Sequence, residues 1–310
     1  MTLERIHDLC AGLGHPVLSD GPDAAGRFPD GSRYKVEIPS CDGPEVMEVV
    51  LDEAGRRGVP IHRVSQGSGV MMLTDAEIER MVALGAAHGI EVCLFLGPRS
   101  AWDIGAQAKV SAAVGSAARG NAAVAASLCD AERAVRLGVR SLLVGDIGVL
   151  QLLGRMKADG RMPGDLVLKT SVLMPLSNGP TAALYEQIGA TSLNISTDLT
   201  VAQIAEIRAA TTVPIDMYVE VPDDQGGAVR FYDVPEVVRV AAPVYLKLGL
   251  RNAPNIYPVG AHLGATAQNL GRERVRRAEL VLRLLHELAP QLAAAPAPGT
   301  AVRSAASTAG

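Results

Sequence analysis

Residues 141–172, SLLVGDIGVLQLLGRMKADGRMPGDLVLKTSV, hold the pattern that decides the fold. A short Leu/Val run (141–146) gives way to a helical stretch (148–158), then a turn containing Gly and Pro, then a second short apolar run, LVLKTSV (166–172). Runs of this length suit strands rather than helices. Strand, helix and strand over about 30 residues make one βα unit. The same unit recurs outward in both directions. The strand-like runs are YKVEI (34–38), IHRVS (61–65), EVCLFL (91–96), SLLVGD (141–146), LVLKTSV (166–172), TSLNI (191–195), PIDMYVEV (214–221) and VYLKLG (244–249). Their starts lie roughly 23 to 30 residues apart, the span of one unit. The interval between the third and fourth is roughly 50, which requires an insertion.

The intervening segments read as helices. Residues 44–56 carry Val46, Val49, Val50 and Ala54 at helical spacing, with Asp42 upstream as a candidate cap. Thr74 and Glu77 form a capping-box pattern, in which each side chain satisfies the other's backbone N–H. Residues 130–137, 148–158, 180–188 and 200–210 follow, and Gly58, Gly89, Gly138 and Gly189 stand where left-handed helix ends are expected. Residues 272–289 form a last, Arg-rich amphipathic helix.

Eight such units over about 250 residues predict an α/β fold, a (β/α)8 TIM-type barrel. It spans residues 33–290, after an N-terminal extension (1–32) and before a low-complexity tail (291–310) expected to be disordered. An open doubly wound sheet would carry a Gly-rich fingerprint after its first strand, and PSCDGPE (39–45) is not one.

The chain has 310 residues, of which 48% are hydrophobic and 20% charged, so a packed globular core is expected. Aromatics make up only 3% and the net charge is −4, so neither nucleic acid nor anionic lipid is an expected partner. Cys10, Cys41, Cys93 and Cys129 are dispersed without metal-ligand spacing. No signal peptide or membrane span is apparent, which predicts a reducing cytoplasm. The Ala/Gly/Arg-rich, Lys-poor usage suggests a GC-rich bacterial genome.

In a barrel the chemistry sits at the carboxyl ends of the strands. Ionisable residues within strands must there be paired or used, because an unpaired buried charge costs several kcal/mol. Glu37, Lys169 and Lys247 lie within strands, Asp146 ends the fourth, and Asp216, Tyr218 and Glu220 share one face of the seventh by alternation. The expected catalytic set is Lys169, Lys247, Glu37, Glu220 and Asp146. The expected substrate-binding set is Arg251, Asn252, Arg99, Gln66, Ser68, Asn194 and Tyr218. QGSG (66–69) can present consecutive backbone N–H groups to an anion. Arg251 suits a carboxylate, and Arg99 with Trp102 suits a lid in the insertion 97–129. Structural alternatives stand beside these: Glu37 pairing with Lys247 across the first and eighth strands, and Asp146 capping the helix that follows it.

A lysine in a dry pocket can act as a base or form a Schiff base. This predicts a lyase, aldolase or isomerase acting on a small polar, carboxylate-bearing molecule. No cofactor is expected. A divalent Mg2+ or Mn2+ on Glu37, Asp146 and Glu220 is the secondary expectation. A hydrolase and a non-catalytic binding or assembly barrel are the alternatives, and a homo-oligomer is common among barrels of this size.

RYKVEIPSCDGPEVMEVVLDEAGRRGVPIHRVSQGSGV (33–70), VPIDMYVEVPDDQGG (213–227) and PVYLKLGLRNAPNIYP (243–258) resemble actinobacterial U32-peptidase-like proteins. The resemblance covers most of residues 30–290 and implies a TIM-type barrel and a peptide or amide hydrolase. Hydroxylation-type members carry a cysteine-rich iron–sulfur motif, from which the dispersed cysteines depart. The sequence holds no Ser-His-Asp arrangement and no HExxH.

Overall fold

A computed structural model describes residues 2–97 and 115–293. Its strands are β1 (Tyr34–Pro39), β2 (Arg63–Ser65), β3 (Glu91–Phe95), β4 (Ser141–Val144), β5 (Val167–Thr170), β6 (Leu193–Asn194), β7 (Ile215–Glu220) and β8 (Val244–Leu248). All pair in parallel, in the order β5-β4-β3-β2-β1-β8-β7-β6. The free edges of β5 and β6 meet at a bridge between Lys169 and Ser192. There Thr170 N donates to Ser192 O at 3.0 Å and Thr191 N to Leu168 O at 2.8 Å. The sheet therefore closes, and the molecule is a (β/α)8 barrel. Each of the eight expected runs contains one strand.

The helices are α1 (Leu3–Gly12), α2 (Pro44–Arg57), α3 (Asp75–His88), α4 (Gly120–Arg136), α5 (Ile147–Ala158), α6 (Gly179–Gln187), α7 (Val201–Ala209), α8 (Val234–Ala241), α9 (Gly264–Leu288) and α10 (Pro290–Ala293). The Thr74/Glu77 capping box opens α3, and Gly58 and Gly89 end α2 and α3 in the left-handed region. Two helices are longer than their sequence signal. α4 begins at Gly120 rather than near 130, and α9 at Gly264 rather than 272. Small residues (GNAAVAAS, 120–127) disguise the first turns of α4 as loop. α8 follows a Pro at its first turn and has no capping motif, so it leaves little local signature. Asp42 does not cap α2. Gly43 holds that position, and the Asp42 carboxylate turns to the β2 loop instead.

Strand alternation sorts side chains between two layers. Val36, Ile38, Val64, Leu142, Leu168, Met217 and Leu246 are buried in the main apolar core, which α2, α3 and α5 supply with Met47, Val50, Ile78, Met81, Leu150 and Leu153. Burying one such side chain contributes about 1.5–3 kcal/mol, so this shell provides most of the stabilisation. Gly271 lets α9 approach α2: a Cβ there would stand 3.0 Å from Val50 Cγ2. The opposite strand faces bring charged and polar groups into the barrel, with a small separate apolar group of Cys93, Phe95 and Leu143.

The N-terminal extension is structural. Its Phe28 is buried and meets Tyr245 edge-to-face, with ring centroids 5.0 Å apart, at the amino-terminal end of the barrel. Lys35 Nζ lies over that ring, 4.9 Å from its centre, and pairs with Asp30. Ala24 N donates to Arg239 O, and Val244 N to Arg33 O, stitching the extension to α8 and β8. No helix among the described residues is long and apolar enough to cross a membrane.

Candidate active site

The barrel interior is built in two tiers. Glu37 of β1 stands in register with Arg63 of β2 and Lys247 of β8, and Lys247 with Tyr218 of β7. Parallel strands in this register aim all four side chains into the barrel. Lys169 of β5 comes from the opposite wall and contacts the Glu37 carboxylate, with Asp216 Oδ1 3.3 Å away. Arg63 donates from Nη1 to Asp216 Oδ1 at 2.6 Å and to Glu37 Oε2 at 3.2 Å. Its Nε and Nη2 fork onto Glu91 at 2.8 and 3.1 Å, and its guanidinium lies 3.6 Å from the Tyr245 ring centre. Ser65 Oγ donates to Glu37 at 2.7 Å, and Ser192 Oγ to Asp216 at 2.5 Å.

Glu37, Lys169 and Asp216 are completely buried. The cluster survives there because signs balance: Arg63, Lys169 and Lys247 face Glu37, Asp216 and Glu91. Burial pushes the Glu37 carboxyl up, but Lys169, Lys247 and Arg63 outweigh it and hold the group well below the usual carboxylate range. Burial likewise pulls against the Arg63 guanidinium, and Glu91 and Asp216 reverse this. This lower tier is a locked ion network.

Lys247 belongs to the upper tier. Its Nζ is 3.6 Å from Glu37 Oε1 and 4.0 Å from the Tyr218 ring centre. With the Asn194 amide oriented to satisfy its neighbours, Asn194 Oδ1 accepts from Lys247 Nζ at 2.7 Å and from Val172 N at 3.2 Å, while Nδ2 donates to Asp216 O at 3.2 Å. Lys247, Asn194 and Tyr218 line a cavity of about 70 Å3 at the carboxyl ends of the strands, with Ser40, Asp224 and Tyr257 in its wall. A second cavity of about 230 Å3 shares Ser40, Tyr218, Asp224, Gln225 and Tyr257 with the first and reaches Arg274 of α9. Tyr257 hydroxyl bonds Ser40 Oγ, and Ser40 holds φ at +58° to present it. Gly67 makes room for the Tyr257 ring, since a Cβ there would lie 2.6 Å from it.

Other expected site residues have different surroundings. A β-bulge between Tyr218 and Glu220 breaks the alternation of β7, so Glu220 does not share the inward face of Asp216 and Tyr218. Its Oε1 accepts from Arg251 N at 3.2 Å and its Oε2 lies 3.4 Å from Arg277 Nε of α9. Burial pushes its pKa up. Asp146 caps α5, accepting from Gly148 N and Val149 N at 2.8 and 3.0 Å, and Ala118 N at 3.0 Å. Glu37, Asp146 and Glu220 thus occupy three separate places, and no grouping of three or more metal-ligating side chains occurs among the described residues.

The QGSG nest does form, but its anion is internal: Gly67 N and Ser68 N donate to Asp42 Oδ1 at 3.1 and 2.8 Å. Gln66 is latched to Gly69 through both amide atoms, and Ser68 Oγ accepts from Val259 N at 2.9 Å. Arg251 is exposed, 3.9 Å from Asp223, and Asn252 N donates to the same carboxylate at 2.6 Å. Arg99 and Trp102, the lid pair, lie outside the described residues. The free thiols of Cys41 and Cys93 are buried, and burial pushes Cys93 up to about 11.

The sequence reading passed over Arg63, Glu91, Asp224 and Arg274. Arg63 carries the same signal as Lys169, a charge inside an apolar run. Arg274 falls on the buried stripe of α9 (Ala267, Gly271, Arg274, Ala278, Val281, Leu285), where helical spacing calls for an apolar residue.

Residues 105–221 match the model of peptidase family U32. No curated protein sequence matches the chain. Among solved structures, a U32 peptidase, Mk0906, is 14% identical with a TM-score of 0.42, covering 76% of this chain and 98% of its own. A protein described as copper homeostasis protein CutC from Streptococcus agalactiae is 12% identical, with a TM-score of 0.46 and coverage of 69% and 98%. A protein described as a lyase/mutase from Burkholderia cenocepacia is 14% identical, with a TM-score of 0.44 and coverage of 96% and 94%. Eight strands closed around one axis make the chain a (β/α)8 barrel protein, and residues 105–221 of it are similar to peptidase family U32.

Proposed function

We propose that the protein is an enzyme acting on a small carboxylate-bearing molecule by lysine and carboxylate acid–base chemistry, in the manner of a lyase, aldolase or isomerase. The observation that carries this reading is Lys247: it lines the mouth cavity, while Lys169 does not and is sealed in the ion network. Glu37, Asn194 and the Tyr218 ring all surround Lys247 Nζ. That setting supports a proton donor to a substrate carbonyl oxygen better than a free amine nucleophile. As a C–H bond next to the carbonyl breaks, its electrons move onto the oxygen, and Lys247 supplies the proton or hydrogen bond there. Asp224, a carboxylate in the same wall, accepts the proton leaving carbon.

A panel of 2-oxo acids in deuterated buffer, followed by NMR, tests this. The protein should exchange the α-protons of at least one member. Lys247→Met should slow that exchange by about 100-fold or more, the usual size of a lost general acid. Absence of exchange across the panel would overturn the reading. Borohydride-dependent mass gain at Lys247 would assign the Schiff-base variant instead. The peptidase reading rests on the family match, and no cysteine lines either mouth cavity: Cys41 and Cys93 are buried, and Cys10 and Cys129 lie on α1 and α4.

A further inference from the structure

Arg274 is the buried cation that the ion network does not use. It is 5% exposed. Among the described residues it has no carboxylate within 4 Å, and its Nε and Nη1, both shielded from solvent, have no hydrogen-bond acceptor. The Asp42 and Glu220 carboxyls feel its charge, and each keeps one oxygen without a hydrogen-bond partner, but neither reaches the guanidinium: Asp42 Oδ1 accepts from the β2 loop, Glu220 Oε1 from Arg251 N, and Asp223 accepts from Asn252 N. Arg277, one residue before Ala278 on the same helix, is 3.0 Å from Glu273. Leaving a guanidinium dry and unpaired is costly, and a fold tolerates it where a ligand completes the pair. The side chain borders the 230 Å3 cavity, which adjoins the Lys247 cavity and shares Ser40, Tyr218, Asp224, Gln225 and Tyr257 with it.

We propose that Arg274 is the anchor for the substrate's carboxylate, holding it by a charge-assisted fork in its cavity while the reacting carbonyl points toward Lys247 in the adjoining one. This deepens the reading given above by naming the group that recognises the substrate class. A single carboxylate is favoured over a phosphate by charge. One guanidinium neutralises one negative charge, and Asp223 and Asp224 in the same wall would repel a dianion.

The experiment is a set of thermal melts of the full chain in sodium acetate, sodium pyruvate or sodium phosphate, each against sodium chloride at matched ionic strength. Acetate and pyruvate should raise the wild-type midpoint with concentration, as ligands of the native state do, and phosphate should do so less. Arg274→Met should weaken that response at least about tenfold, the loss of one charged hydrogen-bonding partner. In chloride it should melt at or above the wild type, because an unpaired buried charge has been replaced by a thioether chain. A purely structural arginine would give the opposite sign in chloride. The proposal is overturned by carboxylates that act no better than chloride, by phosphate acting more strongly, by a Met variant that keeps the response, or by one that melts well below wild type. If Arg274→Met does not fold, Arg274→Lys decides, and an undiminished response there also overturns it. A wild type that shows proton exchange but no carboxylate-specific thermal response discards the anchor alone, and one that shows the thermal response but no exchange discards the role of Lys247 alone.

Discussion

Glu37 is the residue whose removal the ion network can least absorb. Glu37→Gln keeps the shape and one acceptor but deletes a negative charge that touches Lys169 and lies 3.2 Å from Arg63 and 3.6 Å from Lys247. Asp216 then faces both Arg63 and Lys169, and the interior carries one unmatched positive charge. Breaking a buried pair in this way costs about 3–5 kcal/mol. Against a typical total of about 5–15 kcal/mol, that is a large fraction. At about 2–4 °C per kcal/mol it lowers the melting point by roughly 10 °C. Urea titration of wild type, Glu37→Gln, Lys169→Met and the double variant measures it. Lys169→Met alone should be comparably damaging, while the double variant removes one charge of each sign. The double variant should therefore recover at least about 2 kcal/mol relative to the sum of the singles, well beyond the additivity expected of independent sites. Single variants costing under about 1 kcal/mol, or a double that is simply additive, would show that the network is not balanced by charge.

Asp146→Ala should lower stability by about 1–2 kcal/mol, the upper end reflecting the lost tie to Ala118 N, without reducing proton exchange. Denaturation and the exchange assay read the two effects separately, and a loss of exchange without a loss of stability would return Asp146 to the chemistry. Glu37 is ionised in the folded protein to well below the usual carboxylate range, so the stability it contributes is complete above its unfolded pKa of about 4.3 and is lost as pH falls below that. Asp42 and Glu220, pushed up by burial, act in the opposite direction. Melting points from pH 6 to pH 3 should fall less steeply in Glu37→Gln than in wild type, and parallel slopes would contradict the assignment.

The strands were legible because each is a short apolar run, and the inward charges because a lysine within such a run has few places to go. Glu37 meeting Lys247 followed from strand closure alone. Glu220 was misread because parity assumes an unbroken strand, and one extra residue in β7 is invisible to it. The QGSG loop was read correctly as a nest, yet sequence does not reveal that Asp42, more than twenty positions earlier, fills it. Arg274 escaped notice among four neighbouring arginines, although the stripe it occupies distinguishes it. In each case the missing information was a tertiary partner, not a local preference.

Phe28 has a consequence for traffic through the molecule. With that ring seated under Tyr245 and its segment stitched to α8, the amino-terminal floor is stoppered and Arg63 is kept from the water below, while Glu91 stands at its rim, a quarter exposed. Whatever reaches Lys247 must arrive by the carboxyl-end rim and depart the same way, so entry and exit compete for a single doorway.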